Sequence, residues 1–214
     1  MQARLATQDD VAPAARALAQ AFAGDPPMRW FLGDGAVSPG LLQGFFASTI
    51  SKLYLPFGEV WVTDEPFGAA LWAPPGRFPF SAREQIPTLR QVLTVFGRRP
   101  IRGLTGIHAI GAGHPHEPHW YLEYVGVGAS GQGKGAGSAL LAPRLERCDS
   151  EGVDAHLIAG STRSKKLYER HGFVTTEEFN LPFKGPPLWR MWRDSPADGI
   201  VASEAPPSPG PPPG

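Results

Sequence analysis

The residues with the clearest chemical pattern form one run, Val125-Gly126-Val127-Gly128-Ala129-Ser130-Gly131-Gln132-Gly133-Lys134-Gly135-Ala136-Gly137-Ser138. An apolar segment enters it and a segment with apolar residues at helical spacing leaves it. Glycines let a backbone approach a ligand closely, and the unpaired N–H groups at a helix start attract anions. Phosphate binding is therefore the chemistry to expect. Three phosphate-binding patterns overlap here. Gly128-x4-Gly133-Lys134 begins as a Walker A loop does, but Gly135 stands where a Ser or Thr must hold magnesium, and that reading fails. Gly126-x-Gly128-x-x-Gly131 spells a dinucleotide fingerprint. Further glycines follow it before a helix can settle, however, and Ile158-Ala159-Gly160 occupies the end of the next strand, where an acid is expected. The third pattern is Gln132-x-x-Gly135-x-Gly137.

Other residues carry proton chemistry. Glu123 lies inside the apolar run Trp120 to Val127, where a carboxylate is costly without a purpose. Strand alternation puts it on the same side as Val125 and Val127. With a pKa raised by burial it is a candidate base for an amine's proton; a structural ion pair accounts for it equally well. Ser161, Ser164 and Tyr168 fall at i, i+3, i+7 and share one helical face, polar enough to look toward a ligand. A tyrosine keeps its proton at neutral pH and can act as an acid; the alternative is a core tyrosine packed at a helix end. His114, His116 and His119 tempt a metal reading, with Glu117 between them, but Pro115 and Pro118 interrupt any helix and the spacing fits no common zinc site. No metal is expected, and His119 reads as the start of the central strand. Cys148, the single cysteine, permits no internal disulfide and reads as packing.

The hexapeptide Gln132-x-x-Gly135-x-Gly137 resembles the pyrophosphate loop of the GNAT N-acetyltransferase superfamily, (Arg/Gln)-x-x-Gly-x-(Gly/Ala). About thirty residues downstream, Leu167-Tyr168-Glu169-Arg170-His171-Gly172-Phe173 resembles that superfamily's second signature, (Leu/Phe)-Tyr-x-x-x-Gly-Phe. Four further stretches are similar to the subgroup that includes puromycin N-acetyltransferase: Arg4 to Val11, Glu117 to Leu122, Gln132 to Gly135 and Trp189 to Trp192. The likeness is dense over residues 117–193 and thin over 25–115.

The resemblance implies acetyl-CoA as co-substrate. Its pantetheine arm would run beside the central strand and pair with backbone near Val125 and Val127, whose N–H groups would polarise the thioester carbonyl. The diphosphate would sit on the turn Gln132, Gly133, Lys134, Gly135, Ala136, Gly137 and Ser138, with Lys134 adding a point charge. Tyr168 matches the tyrosine that protonates the departing thiolate. Two departures stand out. Relatives commonly show Leu-Glu-Thr-Ser where this chain has Leu157-Ile158-Ala159-Gly160, and an Asn that contacts coenzyme A where it has the shorter Ser164. The expected activity is direct acetyl transfer to the primary amine of a small molecule. The alternatives are acetylation of a protein or peptide amine, a non-catalytic acyl-CoA-binding protein and, from a third class, an NTP-binding protein.

Elements must hold these residues in place. Arg4 to Ala6 reads as a first strand. Thr7 and Asp10 give a capping-box-like helix start, Leu18 and Phe22 recur at helical spacing, and Gly24-Asp25-Pro26-Pro27 ends that helix. Leu41 to Leu55 reads as a second helix. Glu59 to Thr63 and Ala69 to Trp72 read as strands joined by a hairpin at Asp64-Glu65-Pro66. Residues 81–112 look helical but are broken by Pro87, Pro100 and glycines. Trp120 to Val127 is a buried strand, followed by a helix with Leu141, Leu145 and Cys148 that Pro143 should kink. Ala155 to Ala159 is a strand, Ser161 to Arg170 a helix stopped by His171-Gly172, and Phe173-Val174 and Leu188 to Arg193 the last strands. The fold class is α/β (α+β): a GNAT-like mixed, mostly antiparallel central sheet flanked by helices.

Composition agrees. The 214 residues, 42% hydrophobic and 19% charged, suit one domain over 1–194. The stretch 195–214, with seven Pro and three Gly, reads as a disordered tail. Lys plus Arg equals Asp plus Glu at 20 each, which argues against a nucleic-acid partner. No apolar run reaches membrane-spanning length, and Met1 to Leu5 has no signal-peptide core, so a cytoplasmic monomer or homodimer without a membrane partner is expected. Trp30, Phe31, Phe45, Phe46, Trp61, Trp72, Phe78 and Phe80 crowd the first half; most must be core and some could line an acceptor pocket.

Overall fold

The apolar runs become the inner strands of a seven-stranded sheet. In the computed structural model, which describes residues 1–33, 38–63, 68–96 and 99–196, the strands are β1 (Ala3–Leu5), β2 (Glu59–Thr63), β3 (Gly68–Ala73), β4 (His119–Val127), β5 (Asp154–Ala159), β6 (Val174–Asn180) and β7 (Pro187–Arg193). Their order is β1-β2-β3-β4-β5-β7-β6, and every pair is antiparallel except β4 with β5. This is the mixed, mostly antiparallel sheet expected from the sequence. The hairpin turn at Asp64-Glu65-Pro66 and the tail from Ala197 onward lie outside the described residues.

Helices cover both faces. On one lie α1 (Val11–Phe22), α2 (Pro26–Leu32), α3 (Pro39–Thr49) and the short α4 (Leu55–Phe57); Leu18, Leu42, Phe46 and Ile50 pack there on Val62, Leu71 and Tyr121. Three more follow β3: α5 (Ala82–Gln85), α6 (Leu89–Phe96) and α7 (Pro100–Gly111). The opposite face is covered by α8 (Ala136–Glu151), whose Leu140, Leu141, Leu145 and Cys148 pack on Trp72, Leu122, Leu157 and Met191. Finally α9 (Thr162–Glu169) follows β5. Among the described residues no helix is long and apolar enough to cross a membrane.

Several local expectations hold. Thr7 and Asp10 form the reciprocal cap, and Arg4 closes on the Asp10 carboxylate with two 2.8 Å hydrogen bonds. Others change. Asp25-Pro26 does more than end α1, because it starts α2: Asp25 Oδ2 accepts the Met28 N–H at 3.2 Å, and Pro26 takes the first helical position, where its missing N–H costs nothing. The second helix passes through a π turn at Ile50–Tyr54 before α4, and α8 runs through Pro143 as one element. The strand expected at Phe173-Val174 starts at Val174 and continues to Asn180 as β6, whose residues are nearly all exposed, while Phe173 is buried just ahead of it.

Two features of β4 build the site. Its pairing with β5 stops at Leu122↔Leu157, while β4 itself continues to Val127, so the two strands part and leave one edge of β4 open. Across the other edge Leu71 pairs with Tyr124 but Trp72 pairs with Leu122, which makes Glu123 the extra residue of a β-bulge. A bulge resets the alternation. Val125 and Val127 pack toward α8, whereas Glu123 meets Tyr54 on the other face. Glu123 therefore does not share a side with Val125 and Val127, contrary to strict alternation.

Candidate active site

The glycine turn has the geometry of an anion cradle. Gly133 and Gly135 adopt φ of 78° and 83°, and a Cβ on either would meet nothing within 4 Å. Backbone conformation, not crowding, is what demands glycine there. The first helical bond of α8 runs from Ala139 N–H to the Gly135 carbonyl, leaving the N–H groups of Ala136, Gly137 and Ser138 without carbonyl partners among the described residues. Gln132, Gly133, Gly135, Ala136, Gly137 and Ser138 all line one cavity; Lys134 is exposed and stands off its wall. Gln132 Oε1 accepts from Arg163 at 3.1 Å. Arg163, Lys166 and Arg170 line the same end of the cavity. These cations escaped the sequence reading, although their i, i+3, i+7 spacing was visible.

The helix α9 brings up the tyrosine. Its N-cap Ser161 accepts from the Ser164 N–H, and the Ser164 hydroxyl returns to Ser161, donating to its carbonyl at 2.9 Å. Ser164 lines the cavity but spends its hydroxyl on this cap. At the other end Gly172, with φ of 85°, lets the Tyr168 carbonyl accept the N–H groups of His171 and Phe173. Tyr168 is 6% exposed and lines the cavity. Its hydroxyl has no hydrogen-bond partner among the described residues. Burial, with a smaller contribution from Asp25, pushes its pKa above the ordinary tyrosine value, so it keeps its proton.

Two carboxylates line the cavity. Glu123 is engaged by the hydroxyls of Tyr54 and Tyr124, and burial pushes its carboxyl above the usual range. Asp25 was not singled out in the sequence. Its Oδ2 caps α2, its Oδ1 accepts no hydrogen bond among the described residues, and burial raises its pKa to about 6. A Cβ on Gly160, at the end of β5, would lie 3.2 Å from Asp25 Oδ1. The signal that could have found Asp25 is the Asp-Pro pair itself, an N-cap followed by a first-turn proline.

The histidines form a different structure. His114, His119 and His156 pack ring on ring, with centroids 4.9 to 5.4 Å apart. Burial lowers His114 to about 4 and His156 to about 3, keeping both neutral. Among the described residues no group of three or more His, Cys, Asp or Glu is arranged to hold a metal ion. Cys148 is buried, with its thiol pushed up to about 11.

The cavity has a volume of about 1300 Å³, above the ~300–1,000 Å³ usual for one ligand. It runs from the glycine turn, past Tyr168 and the open edge of β4, to Phe31, Phe45, Phe78 and Phe80. Residues 53–173 match the acetyltransferase (GNAT) family. The chain belongs to the GNAT family.

Among solved GNAT structures, that of histone acetyltransferase HPA2 and related acetyltransferase from Corynebacterium glutamicum is 28% identical, with a TM-score of 0.71 over 93% of this chain and 98% of that one. An N-acetyltransferase from Staphylococcus aureus Mu50 shares the fold, with a TM-score of 0.56 at 18% identity over 90% of this chain and all of its own (100%). An uncharacterised N-acetyltransferase of Schizosaccharomyces pombe is 39% identical over 62 residues, which span 29% of this chain and only 25% of that relative. Within this GNAT chain the first-half aromatics expected as core or pocket wall are nearly all buried, and four of them also form cavity wall. Trp30, Phe46, Trp61 and Trp72 are core away from the cavity, whereas Phe31, Phe45 and Phe80 are buried residues that also line it, as does the half-buried Phe78.

Proposed function

We propose that this GNAT chain transfers the acetyl group of acetyl-CoA directly to the primary amine of a small molecule while both are bound. One observation carries the reading: a single cavity joins the unpaired N–H groups of the glycine turn to the free Tyr168 hydroxyl and continues into an aromatic chamber. The turn Gln132 to Ser138 would hold the diphosphate, with Arg163, Lys166 and Arg170 supplying positive charge that Lys134, standing off the wall, supplies less directly. The open edge of β4 at Val125 and Val127 would pair with the pantetheine arm. Backbone N–H groups there would stabilise the developing oxyanion, an effect worth about 3–4 kcal/mol per well-placed donor. Tyr168 would give its proton to the leaving sulfur.

Acetylation of a protein amine is the second reading, and it has the Corynebacterium structure's description as a histone acetyltransferase in its favour. The aromatic chamber favours the small-molecule reading. The test is to titrate acetyl-CoA by calorimetry and then follow thiol release with amines, including puromycin because of the subgroup likeness, and with lysine peptides. Binding with amine-dependent thiol release supports the transferase; binding without release from any amine favours a non-catalytic acyl-CoA binder; absence of binding overturns the reading.

A further inference from the structure

We infer that the acceptor is a lipophilic monoamine, an amino group on an aromatic or branched aliphatic body with no second charge, and that Asp25 receives its ammonium. The inference rests on the proposed transferase reading and specifies its acceptor.

Charge comes first. Among the described residues lining the cavity, the cations Arg163, Lys166 and Arg170 belong to α9 and its end, while the carboxylates are Asp25 and Glu123. Positive charge for the anionic cofactor and negative charge for a cationic acceptor are thus both present on the wall of one cavity. Glu123 is already engaged by Tyr54 and Tyr124. Among the described residues Asp25 Oδ1 accepts no hydrogen bond, so one ammonium has a carboxylate oxygen to meet and a second has no further carboxylate.

Position comes next. Asp25 Oδ1 lies 3.2 Å from where a Gly160 Cβ would stand, at the end of β5 and just before the N-cap of α9. It is close enough for its charge to act on Tyr168. An amine held on Asp25 therefore sits in the same cavity as the acid proposed for the leaving sulfur and within its electrostatic reach. The walls beyond are mostly apolar: Phe31, Phe45, Leu53, Phe80 and Val92 line the chamber, and Phe78 packs on Tyr121 with ring centroids 4.3 Å apart. Thr49, Gln85, Thr88 and His114 are the neutral polar groups among them. A second ammonium would lose water against these walls with no further carboxylate to receive it, and the backbone of a peptide would meet mostly aromatic and aliphatic groups.

The proton accounting closes. Asp25 takes one proton from the ammonium and passes it to solvent. The freed nitrogen lone pair forms the C–N bond at the thioester carbonyl, and the C–S bond breaks. Sulfur leaves with the Tyr168 proton, and Tyr168 regains one from the nitrogen as it becomes an amide. The sum is amide, free thiol and one proton released.

The test compares phenethylamine, spermidine and a single-lysine peptide by thiol release from acetyl-CoA with the full chain. The expected result is a kcat/KM for phenethylamine about 100-fold or more above the other two, from the cost of leaving a second buried charge unpaired. Asp25→Asn, which keeps an N-cap acceptor and so preserves α2, should lower kcat/KM for phenethylamine by about 100-fold or more, with acetyl-CoA affinity by calorimetry unchanged. Preference for spermidine or the peptide overturns the acceptor class while leaving the transferase standing. An Asp25→Asn variant as active as the parent overturns the role of Asp25. Acetyl-CoA binding with no thiol release from any of the three overturns the acceptor assignment, and no acetyl-CoA binding at all brings down the transferase reading with it.

Discussion

The Tyr54 hydroxyl donates to the Glu123 carboxylate from the π turn onto the bulge of β4. Tyr54 is fully buried, so this bond ties the helical layer to the strand behind a residue of the cavity wall, Glu123. Removing the hydroxyl strands part of a buried carboxyl, and Tyr54→Phe should cost about 1–3 kcal/mol in denaturant unfolding. Glu123→Gln retains an acceptor for one of its two tyrosines and should lower acetyl transfer far less than Asp25→Asn does. Rates for the two variants measured side by side decide the matter: a larger loss at Glu123 would make it, and not Asp25, the base.

Asp25 should make the protein pay in stability for activity. Its carboxyl titrates near 6 in the folded chain, against about 3.9 unfolded. Between those values the folded state holds more protons than the unfolded one, so stability falls as pH rises from 4 through 6. At 1.36 kcal/mol per unit the loss reaches as much as about 3 kcal/mol at pH 7, reduced by whatever water the cavity admits. Asp25→Asn should therefore raise the melting temperature by several degrees at pH 7 and leave it nearly unchanged below pH 4. A melting curve against pH for both proteins reads this directly, and a pH-independent difference would show that the carboxylate is not strained by burial.

Tyr168→Phe separates catalysis from binding. The hydroxyl has no partner among the described residues, and the ring keeps its edge contact with Phe173 at 6.1 Å, so the variant should fold as the parent does. Loss of the acid should lower kcat by about 100-fold or more with the acetyl-CoA Kd unchanged. Stopped-flow thiol release and calorimetry on the same preparation measure both. An unchanged kcat would mean that the thiolate departs without this proton.

The sheet was legible where burial dictates composition. Trp120 to Val127, Ala155 to Ala159 and Leu188 to Arg193 are strands that pack on both faces, and their apolar runs show it. Most of β6 was not legible, because Thr175 to Asn180 is an exposed edge and carries polar residues that equally suit a loop. The glycine turn was legible because the positive φ at Gly133 and Gly135 restricts residue type, whereas Tyr168, whose own backbone is helical, stood out only through the motif Leu167 to Phe173. Asp25 was hidden by Pro26-Pro27, which stops one helix and starts the next. The facing of Glu123 could not be read at all, since a bulge is a property of the pairing with β3 and leaves the period of β4 itself unmarked. Which aromatics line the chamber depends on how α2, α3 and α6 meet, which is likewise tertiary.

The glycine turn offers a graded test of the cradle. Gly135 has φ of 83° with open space around its Cβ position, whereas a Cβ on Gly137 would lie 3.1 Å from the end of the Leu167 side chain. Gly135→Ala therefore forces a non-glycine residue into the left-handed region, at about 1–2 kcal/mol, and relief comes only by turning the N–H groups that follow. Gly137→Ala asks only a flexible leucine terminus to move by a few tenths of an ångström. If Gln132 to Ser138 hold the diphosphate, Gly135→Ala should weaken acetyl-CoA by about 10-fold or more, the equivalent of 1.4 kcal/mol, and Gly137→Ala by much less. Calorimetric titration of both variants orders them. Equal, small losses would mean that the diphosphate is not held by the turn's backbone, and the cofactor's anchoring would then fall to Arg163, Lys166 and Arg170.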